Sequence, residues 1–248
     1  TGQVVSRTMT ITNSGNSALS VTNISYPACF SGAWTGTVAA GRATNITVTF
    51  APSVVQSYSG TVVVGCNSTS GTNTISCSGA GIAVTRVIGL LGNLAYGNVV
   101  TGQVATLSMT ITNSGNSALT VTNITHPFGF GGAWTGAVAA GQFRVVTVAF
   151  APTAVQSYSG TITILSDATG GANTLSCTGT GVAPTRVVGL LGSLAFGNVV
   201  TGRVTKSAMT ITNSGNSALT VTNITYPSGF SGTWTGAVAS GKATNVIV

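Results

Sequence analysis

The stretch MTITNSGNSAL at residues 9–19 recurs unchanged at residues 109–119 and again at residues 209–219. The spacing is 100 residues both times, and 64 of the first 100 residues are identical to their partners one period later. A period of this length is too long for one unit of a solenoid and fits one small domain per repeat. The sequence therefore predicts three tandem domains at residues 1–83, 84–183 and 184–248. We expect the first to lack its opening strand and the third to lack its C-terminal strands.

Apolar and hydroxyl side chains alternate within this stretch. Met109 and Ile111 are separated by a threonine, and Leu119 resumes the alternation after the polar residues 113–117. A period of two is typical of half-buried strands. We expect Gly and Asn to supply positive φ angles in the turn at 113–117, which makes the stretch a hairpin. Ile124 falls out of phase, as a β-bulge would place it.

A full repeat contains about seven such segments, separated by turn residues, and it shows no helical periodicity. Glycines at positions 89, 92 and 97 predict that the first segment, 87–99, kinks or switches between sheets. Phe130, Trp134 and Cys177 are expected to face the core. The pattern predicts an all-β fold of tandem immunoglobulin-like β-sandwich domains of about seven strands, with a period of 100 residues.

Several motifs of the repeat resemble a known family. LAFGNVVTG at 194–202, followed by MTITNSGN at 209–216, resembles the start of an ASPM–SPD-2–Hydin-type immunoglobulin-like domain. The similarity continues through residues 148–152, 158–160 and 176–181, and it extends to the repeats of bacterial choice-of-anchor secreted surface proteins. It implies a role as a spacer, stalk or docking module. The near-identity of adjacent repeats is more similar to the bacterial surface arrays than to the divergent ciliary and centrosomal members.

Charged side chains are scarce: eight Lys and Arg residues and a single acid, Asp167. The net charge of +7 is scattered along the chain, whereas nucleic-acid binding needs clustered cations, so we expect no nucleic-acid partner. No run of about 18 consecutive apolar residues is present, so we expect no membrane span in this segment. Hydroxyls and amides, rather than charges, are expected to keep the β-rich surface hydrated.

Acid–base catalysis needs at least one positioned titratable pair. The chain offers one carboxylate side chain, Asp167, and one imidazole, His126, and neither recurs in the other repeats. Calcium sites need several acids, and zinc sites need closely spaced Cys and His. We therefore expect no enzymatic activity, no cofactor and no metal.

The four cysteines leave their connectivity open. Cys77 and Cys177 share a position in the repeat, and the simplest interpretation is a buried thiol. Cys29 and Cys66 are both absent from the second repeat, which hints at a pair. The predicted topology, however, places these two near opposite ends of the sandwich, beyond disulfide reach. A Cys66–Cys77 bridge across the last hairpin is the alternative.

The connections between repeats are short and apolar, which limits bending, whereas a Gly/Ser linker would let modules swing. We predict that they build seams between modules from Val87, Ile88, Leu90, Leu91, Val187, Val188, Leu190 and Leu191. Few charges also favour lateral packing of parallel chains. The sequence thus favours a self-associating structural repeat protein: an extracellular fibre or cell-surface stalk made by end-to-end stacking of modules.

Two alternatives remain open. One is an adhesin or a glycan- or protein-binding module, with the Gly-rich loop 128–141 and Trp134 as its face. The constancy of the tryptophan in all three repeats suits a core anchor equally well. The other is an intracellular scaffold of the ciliary type. Sequons begin at Asn23, Asn123 and Asn223, and glycans attached there in native material would exclude the intracellular scaffold.

Overall fold

The computed structural model describes residues 2–248, and its regular structure is entirely β, with no helix in that range. This confirms the predicted all-β class. The chain divides into two compact units, one that ends at Thr85 and one that comprises Arg86–Val248. Three separate clusters of buried side chains are present, and each draws its members from one repeat.

The first repeat forms two sheets. Its strands are β1 (Val5–Asn13), β2 (Leu19–Ser25), β3 (Phe30–Ser31), β4 (Gly36–Val38), β5 (Arg42–Phe50), β6 (Ser57–Cys66) and β7 (Thr74–Ala80). One sheet has the order β1-β5-β3, and the other has the order β4-β2-β6-β7. Both β1 and β7 are therefore terminal strands of their sheets.

The second repeat has a fuller set of strands. They are β8 (Val87–Leu91), β9 (Leu94–Val100), β10 (Ala105–Asn113), β11 (Leu119–Thr125), β12 (Phe130–Gly131), β13 (Gly136–Val138), β14 (Phe143–Phe150), β15 (Ser157–Ser166), β16 (Gly170–Gly171) and β17 (Thr174–Val182). The two sheets have the orders β12-β14-β10-β8-β16 and β13-β11-β15-β17-β9. Seven of the strands have five or more residues, as the sequence pattern predicts.

The third repeat is represented by five strands. They are β18 (Val188–Leu191), β19 (Ala208–Asn213), β20 (Leu219–Val221), β21 (Gly236–Val238) and β22 (Ala243–Ile247). Strands β18, β19 and β22 form one sheet, and β20 and β21 form another. Residues 194–200, which correspond to β9, are not in a strand.

The predicted change of sheet occurs between β8 and β9. Strand β8 pairs antiparallel with β10 in one sheet, and β9 pairs parallel with β17 in the other. Gly92 lies between them with φ 145°, and a Cβ there would lie 3.0 Å from the carbonyl oxygen of Ser108. Only glycine takes this conformation without strain, so it lets one segment cross from sheet to sheet.

A β-bulge lies in β11, as the phase of Ile124 predicts. The pairing of β11 with β15 shifts register between Val121 and Asn123. The extra residue returns Ile124 to the inward face, where its side chain is buried in the core.

An aromatic cluster fills the centre of the second repeat. The rings of Phe130 and Phe150 stack with centroids 4.7 Å apart, and Tyr158 meets Phe150 edge-on at 5.3 Å. Gly179 makes room for this cluster, since a Cβ there would lie 2.5 Å from the ring of Phe150. Complete burial of a ring such as Phe150 stabilises the fold by about 2–3 kcal/mol.

The turn after β10 depends on a buried asparagine, and the prediction of positive φ angles in this turn is wrong. No residue of 113–117 has a positive φ. Instead, the Nδ2 group of Asn113 donates to the carbonyl oxygens of Ser117 (2.7 Å) and Val138 (2.9 Å), and its Oδ1 accepts from the amide of Gly115 at 3.0 Å. These bonds close the turn through the side chain, so the backbone needs no left-handed residue. Asn13 and Asn213 make the same three bonds.

Candidate functional site: an open strand groove

Strand β9 fills a groove between the sheets of the second repeat. It runs parallel to β17, with Leu94 opposite Cys177 and Val100 opposite Val182. Leu94 is only 2% exposed. The hydroxyl of Tyr96 donates to the carbonyl oxygen of Val148 at 2.6 Å. Strand β9 thus buries apolar side chains and adds one parallel strand to the edge of the sheet.

The corresponding groove of the first repeat is open. Among residues 2–248, no strand pairs with the outer edge of β7. A cavity of about 550 Å³ runs there, lined by residues that include Met9, Phe30, Val48, Phe50, Val62 and Cys77. The rings show the difference directly, because Phe150 is fully buried whereas Phe50 is half-buried. We refer to this cavity as the open groove.

A second sheet edge of the first repeat, that of β1, also has no partner strand among the described residues. Strand β10 is bonded to β14 on one side and to β8 on the other, whereas β1 is bonded only to β5. Met109 and Ile111 are completely buried, whereas Met9 and Ile11 retain slight exposure.

The third repeat shows the complementary situation. Residues 194–200 correspond to β9 in sequence, but no strand pairs with them in the described chain. Leu194 is 38% exposed and Val199 is 42% exposed, against 2% and 9% for Leu94 and Val99. Phe196 still packs against the third core and lies 5.5 Å from the ring of Phe230. Within residues 2–248, neither residues 194–200 nor the outer edge of β7 is therefore paired with a strand.

The predicted seam residues lie on strands β8 and β18 or immediately before β18. Ile88 is buried in the core of the second repeat, Leu90 packs against that core, and Leu91 is exposed. Ile88 therefore packs in the core of its own repeat. Their counterparts in the third repeat are all exposed: Val187, Val188, Leu190 and Leu191. The role of these residues between modules stays a prediction.

The connection between the second and third repeats is fastened by hydrogen bonds. Strand β17 ends at Val182, and the carbonyl oxygen of Ala183 already accepts from the Nδ2 group of Asn216 at 3.0 Å. The Thr185 amide donates to Oδ1 of Asn216 at 2.6 Å, and the Ser217 amide donates to the Thr185 carbonyl oxygen at 3.0 Å. We call this set of bonds the Asn216 clip. It leaves no free linker between β17 and the third repeat.

Asp167 and His126 do not lie together. Asp167 accepts from the Thr120 amide at 2.7 Å and forms an ion pair with Arg86, whose Nε lies 3.3 Å from Oδ2 and donates to the carbonyl oxygen of Ala118. His126 lies six residues further along the chain from Thr120, roughly 20 Å at strand spacing. Its Nε2 is buried without a hydrogen-bond partner in the described structure, and burial lowers the pKa of His126. The two side chains therefore do not form the pair that acid–base catalysis needs.

The sequence model of a family described as HYDIN/CFA65/VesB-like, Ig-like domain, matches residues 1–80 and 93–180. The chain belongs to this family. This confirms the immunoglobulin-like fold of the repeats. It also supports the Hydin part of the resemblance seen in the sequence. Among curated proteins, none matches the chain significantly.

Three solved structures are similar to this Ig-like chain. A protein of unknown function from Porphyromonas gingivalis W83 is 16% identical, with 72% of this chain and 91% of that chain covered and a TM-score of 0.33. The ASH/PapD-like domain of human CEP192 is 11% identical, with 39% and 85% covered and a TM-score of 0.30. The Vibrio cholerae VesB protease is 22% identical, with 37% and 30% covered and a TM-score of 0.30. Scores this low carry no argument about activity.

All four cysteines of the Ig-like repeats are free thiols. Gly60 on β6 pairs with Cys77 on β7, so Cys66 lies six residues beyond that pair, roughly 20 Å along the strand. This excludes the Cys66–Cys77 bridge, because disulfides need Cα atoms within about 7 Å. Cys177 is 1% exposed, as predicted for a core thiol, and burial raises its pKa. Cys77 is only half-buried because it lines the open groove.

The candidate binding loop of the Ig-like repeat is partly anchored in the core. Trp134 is half-buried and packs against the core, with the Arg144 guanidinium 5.5 Å from its ring centroid. Phe128 is exposed and stacks on Tyr158. The anchoring of the tryptophan explains why it recurs in each repeat. In the described structure, the exposed aromatic ring of that loop is therefore Phe128 and not Trp134.

The three recurrent sequons lie on the surface. Asn23, Asn123 and Asn223 all have exposed side chains, and Oδ1 of Asn123 accepts from the amide of Ile124 at 2.9 Å. Glycosylation at these positions stays a prediction. Within residues 2–248, no group of three or more His, Cys, Asp or Glu side chains lies close enough to hold a metal ion. The same residues contain no helix long and apolar enough to cross a membrane.

Proposed function

We propose that this chain is an architectural spacer: a tandem array of Ig-like modules that forms part of an extracellular fibre or a cell-surface stalk, of the kind found in bacterial choice-of-anchor surface proteins. The modules would act by holding a fixed distance between two ends and by associating with other copies. Membership of an Ig-like family supports a structural or binding module, and nothing in the geometry of Asp167 and His126 supports catalysis.

The observation that carries this proposal is the Asn216 clip. A spacer transmits position only if its joints resist bending, and a flexible linker between modules would defeat it. Here Asn216 and Ser217 of the third repeat bind the chain within three residues of the end of β17. The hydrogen bonds therefore attach the third repeat directly to the segment that follows β17, with no free linker residues between them.

The test replaces Asn216 with alanine. The variant loses the two side-chain bonds of the clip, each with a net value of about 1 kcal/mol. We expect amide hydrogen exchange at Thr185 to accelerate by about ten- to thirty-fold. Small-angle X-ray scattering should show a broader distribution of inter-module distances, while the urea midpoint of each repeat stays unchanged.

The matched control is Asn16→Ala, the same substitution in the same turn of the first repeat. In the described structure its side chain accepts one long hydrogen bond, 3.5 Å from the hydroxyl of the neighbouring Ser17, so scattering should not change. Equal scattering from Asn216→Ala and Asn16→Ala would overturn the rigid-joint reasoning. Electron microscopy of native material tests the role itself: rods or filaments support a spacer, and compact isolated particles contradict it.

A further inference from the structure

We infer that two copies of this chain associate side by side, by packing one apolar face of the second repeat against the same face of the other copy. The face lies on the outside of the sheet that contains β14, β10 and β8, and its large side chains are Leu91, Phe143 and Val145. We call these residues and the threonines between them the apolar face. The inference rests on the self-association in the proposed function, and it names the contact that would produce it.

The strand register places the three large side chains together. Thr110 of β10 pairs with Leu91 on one side and with Val145 on the other. Thr112, two residues further along β10, pairs with Phe143. Residues that are directly paired, or two apart on one strand, lie on the same face of a sheet. The alternate residues of β10 are buried in the core, so this face points outward and its side chains form one contiguous surface.

The fold of a repeat does not need these apolar side chains. Phe143 is 66% exposed, Leu91 is 63% exposed and Val145 is 49% exposed. In both other repeats, alanine stands in place of Phe143 and asparagine in place of Val145. The hydroxyl of Thr10 donates to Oδ1 of Asn45 at 2.7 Å, and the third repeat makes the same bond, so their faces are polar. A contiguous exposed apolar group of this kind marks a contact with another molecule.

The charges of the second repeat favour a second copy as the partner. In residues 84–183, all of which the structure describes, the charged side chains are Arg86, Arg144 and Asp167, and none of them lies on the apolar face. Arg86 forms an ion pair with Asp167, and the Arg144 guanidinium lies over the ring of Trp134. A charged partner would lose hydration against this face without gaining a counter-charge, whereas a copy of the face would not.

The area of the face sets the strength of the contact. Strands lie about 4.8 Å apart and rise about 3.3 Å per residue, so the five strands of this sheet cover about 400 Å². Two such faces bury about 800 Å² in total, which lies in the range of weak, reversible interfaces. The contact is isologous, since both copies use the same face, and it closes at two copies. It therefore joins two arrays laterally and does not lengthen either of them.

Sedimentation velocity over a range of concentrations tests the association. We expect reversible dimers at high concentration. Phe143→Ala/Val145→Asn should weaken dimer formation at least ten-fold, and it keeps the fold because the other two repeats fold with these residues. The matched control is Phe128→Ala, which removes an equally exposed ring away from the apolar face and uses the residue of the first repeat. The control should dimerise as the native chain does.

Cross-linking locates the contact. In a Cys29→Gly/Cys66→Ser background, which uses the residues of the second repeat at those positions, Thr110→Cys places a thiol at the centre of the apolar face. A short bismaleimide, which spans the roughly 10 Å between packed sheets, should join it to its copy. Ser176→Cys, exposed on the outside of the other sheet, is the control and should give at least ten-fold less dimer. The remaining native thiols are the same in both variants.

The outcomes separate this contact from the proposed function. Dimers that form equally well in Phe143→Ala/Val145→Asn overturn the inference, as does a chain that stays monomeric at every concentration. Equal weakening by Phe128→Ala also overturns it, because any exposed ring would then serve. Filaments in native material that persist in the double variant would overturn this contact and leave the spacer function standing. Dimers that depend on the apolar face, together with compact isolated particles in native material, would support the contact and contradict the spacer.

Discussion

Asn113→Ala should destabilise the second repeat far more than a substitution of a turn residue normally does. Asn113 is 1% exposed, and its side chain makes three hydrogen bonds, to Gly115, Ser117 and Val138. Alanine removes all three and keeps the backbone bonds to residues 141 and 142. At a net value of about 1 kcal/mol per bond, the loss is about 3 kcal/mol.

The assay follows urea unfolding by tryptophan fluorescence. Each repeat contains one tryptophan, so Trp34→Phe/Trp234→Phe leaves Trp134 as the reporter of the second repeat. With a denaturant slope of about 1–1.5 kcal/mol per molar urea, the loss lowers the midpoint by about 2–3 M. Ser114→Ala is the control in the same turn. Its side chain is exposed, so its midpoint should move by less than about 0.5 M.

Asn113→Asp separates hydrogen bonding from size. Aspartate has the same shape, but it replaces the donating Nδ2 with an oxygen that faces the carbonyl oxygens of Ser117 and Val138. It also buries a charge. We expect it to be at least as damaging as alanine at pH 7. An aspartate variant as stable as the native chain, or an alanine variant no worse than Ser114→Ala, would refute the reasoning.

Two further substitutions test features of single repeats, each read from the tryptophan of that repeat. Cys29 has φ 68°, where the other repeats have glycine, so Cys29→Gly should relieve about 1–2 kcal/mol of backbone strain and lose about 0.5–1 kcal/mol to unfolded-chain entropy. The urea midpoint from Trp34 should rise by up to about 1 M, and a lower midpoint contradicts this. Burial lowers the pKa of His126 below its usual 6.5. As the pH falls, the unfolded chain therefore takes up the proton first, and the second repeat loses stability from about pH 6.5 down to the pKa of His126 in the folded repeat. His126→Tyr, the residue of the other two repeats, should remove that loss between pH 8 and pH 5, and equal pH slopes in both proteins would count against the buried imidazole.

The local patterns predicted the strands well. Apolar and polar residues alternate around Met109 and Ile111 because one face of β10 is buried. This alternation can be recognised from residues that are adjacent in the sequence, without knowledge of distant contacts. Gly92 indicated the change of sheet because few residues other than glycine adopt a positive φ. The out-of-phase Ile124 marked the bulge for the same local reason.

The buried asparagine and the open groove depend on distant residues, and the sequence pattern did not reveal them. In a run of Asn, Ser and Gly, Asn113 is typical of an exposed turn, and its burial comes from Val138, 25 residues away. The groove requires β9 to pair in parallel with β17, about 80 residues later. Among residues 2–248, β7 has no partner on its outer edge, and only the pairing of β9 with β17 shows which apolar side chains such a partner covers.

The parallel pairing of β9 and β17 also sets how a repeat responds to tension. Strand β9 follows β8 near the start of the second repeat, β17 ends the repeat, and the two strands point the same way. Once β8 has separated from β10, pulling the chain at both ends therefore draws β9 and β17 past each other along their length. Their hydrogen bonds lie across that direction and are loaded together, so they must break at once rather than one by one. A chain of such repeats would yield in steps under load, one module at a time.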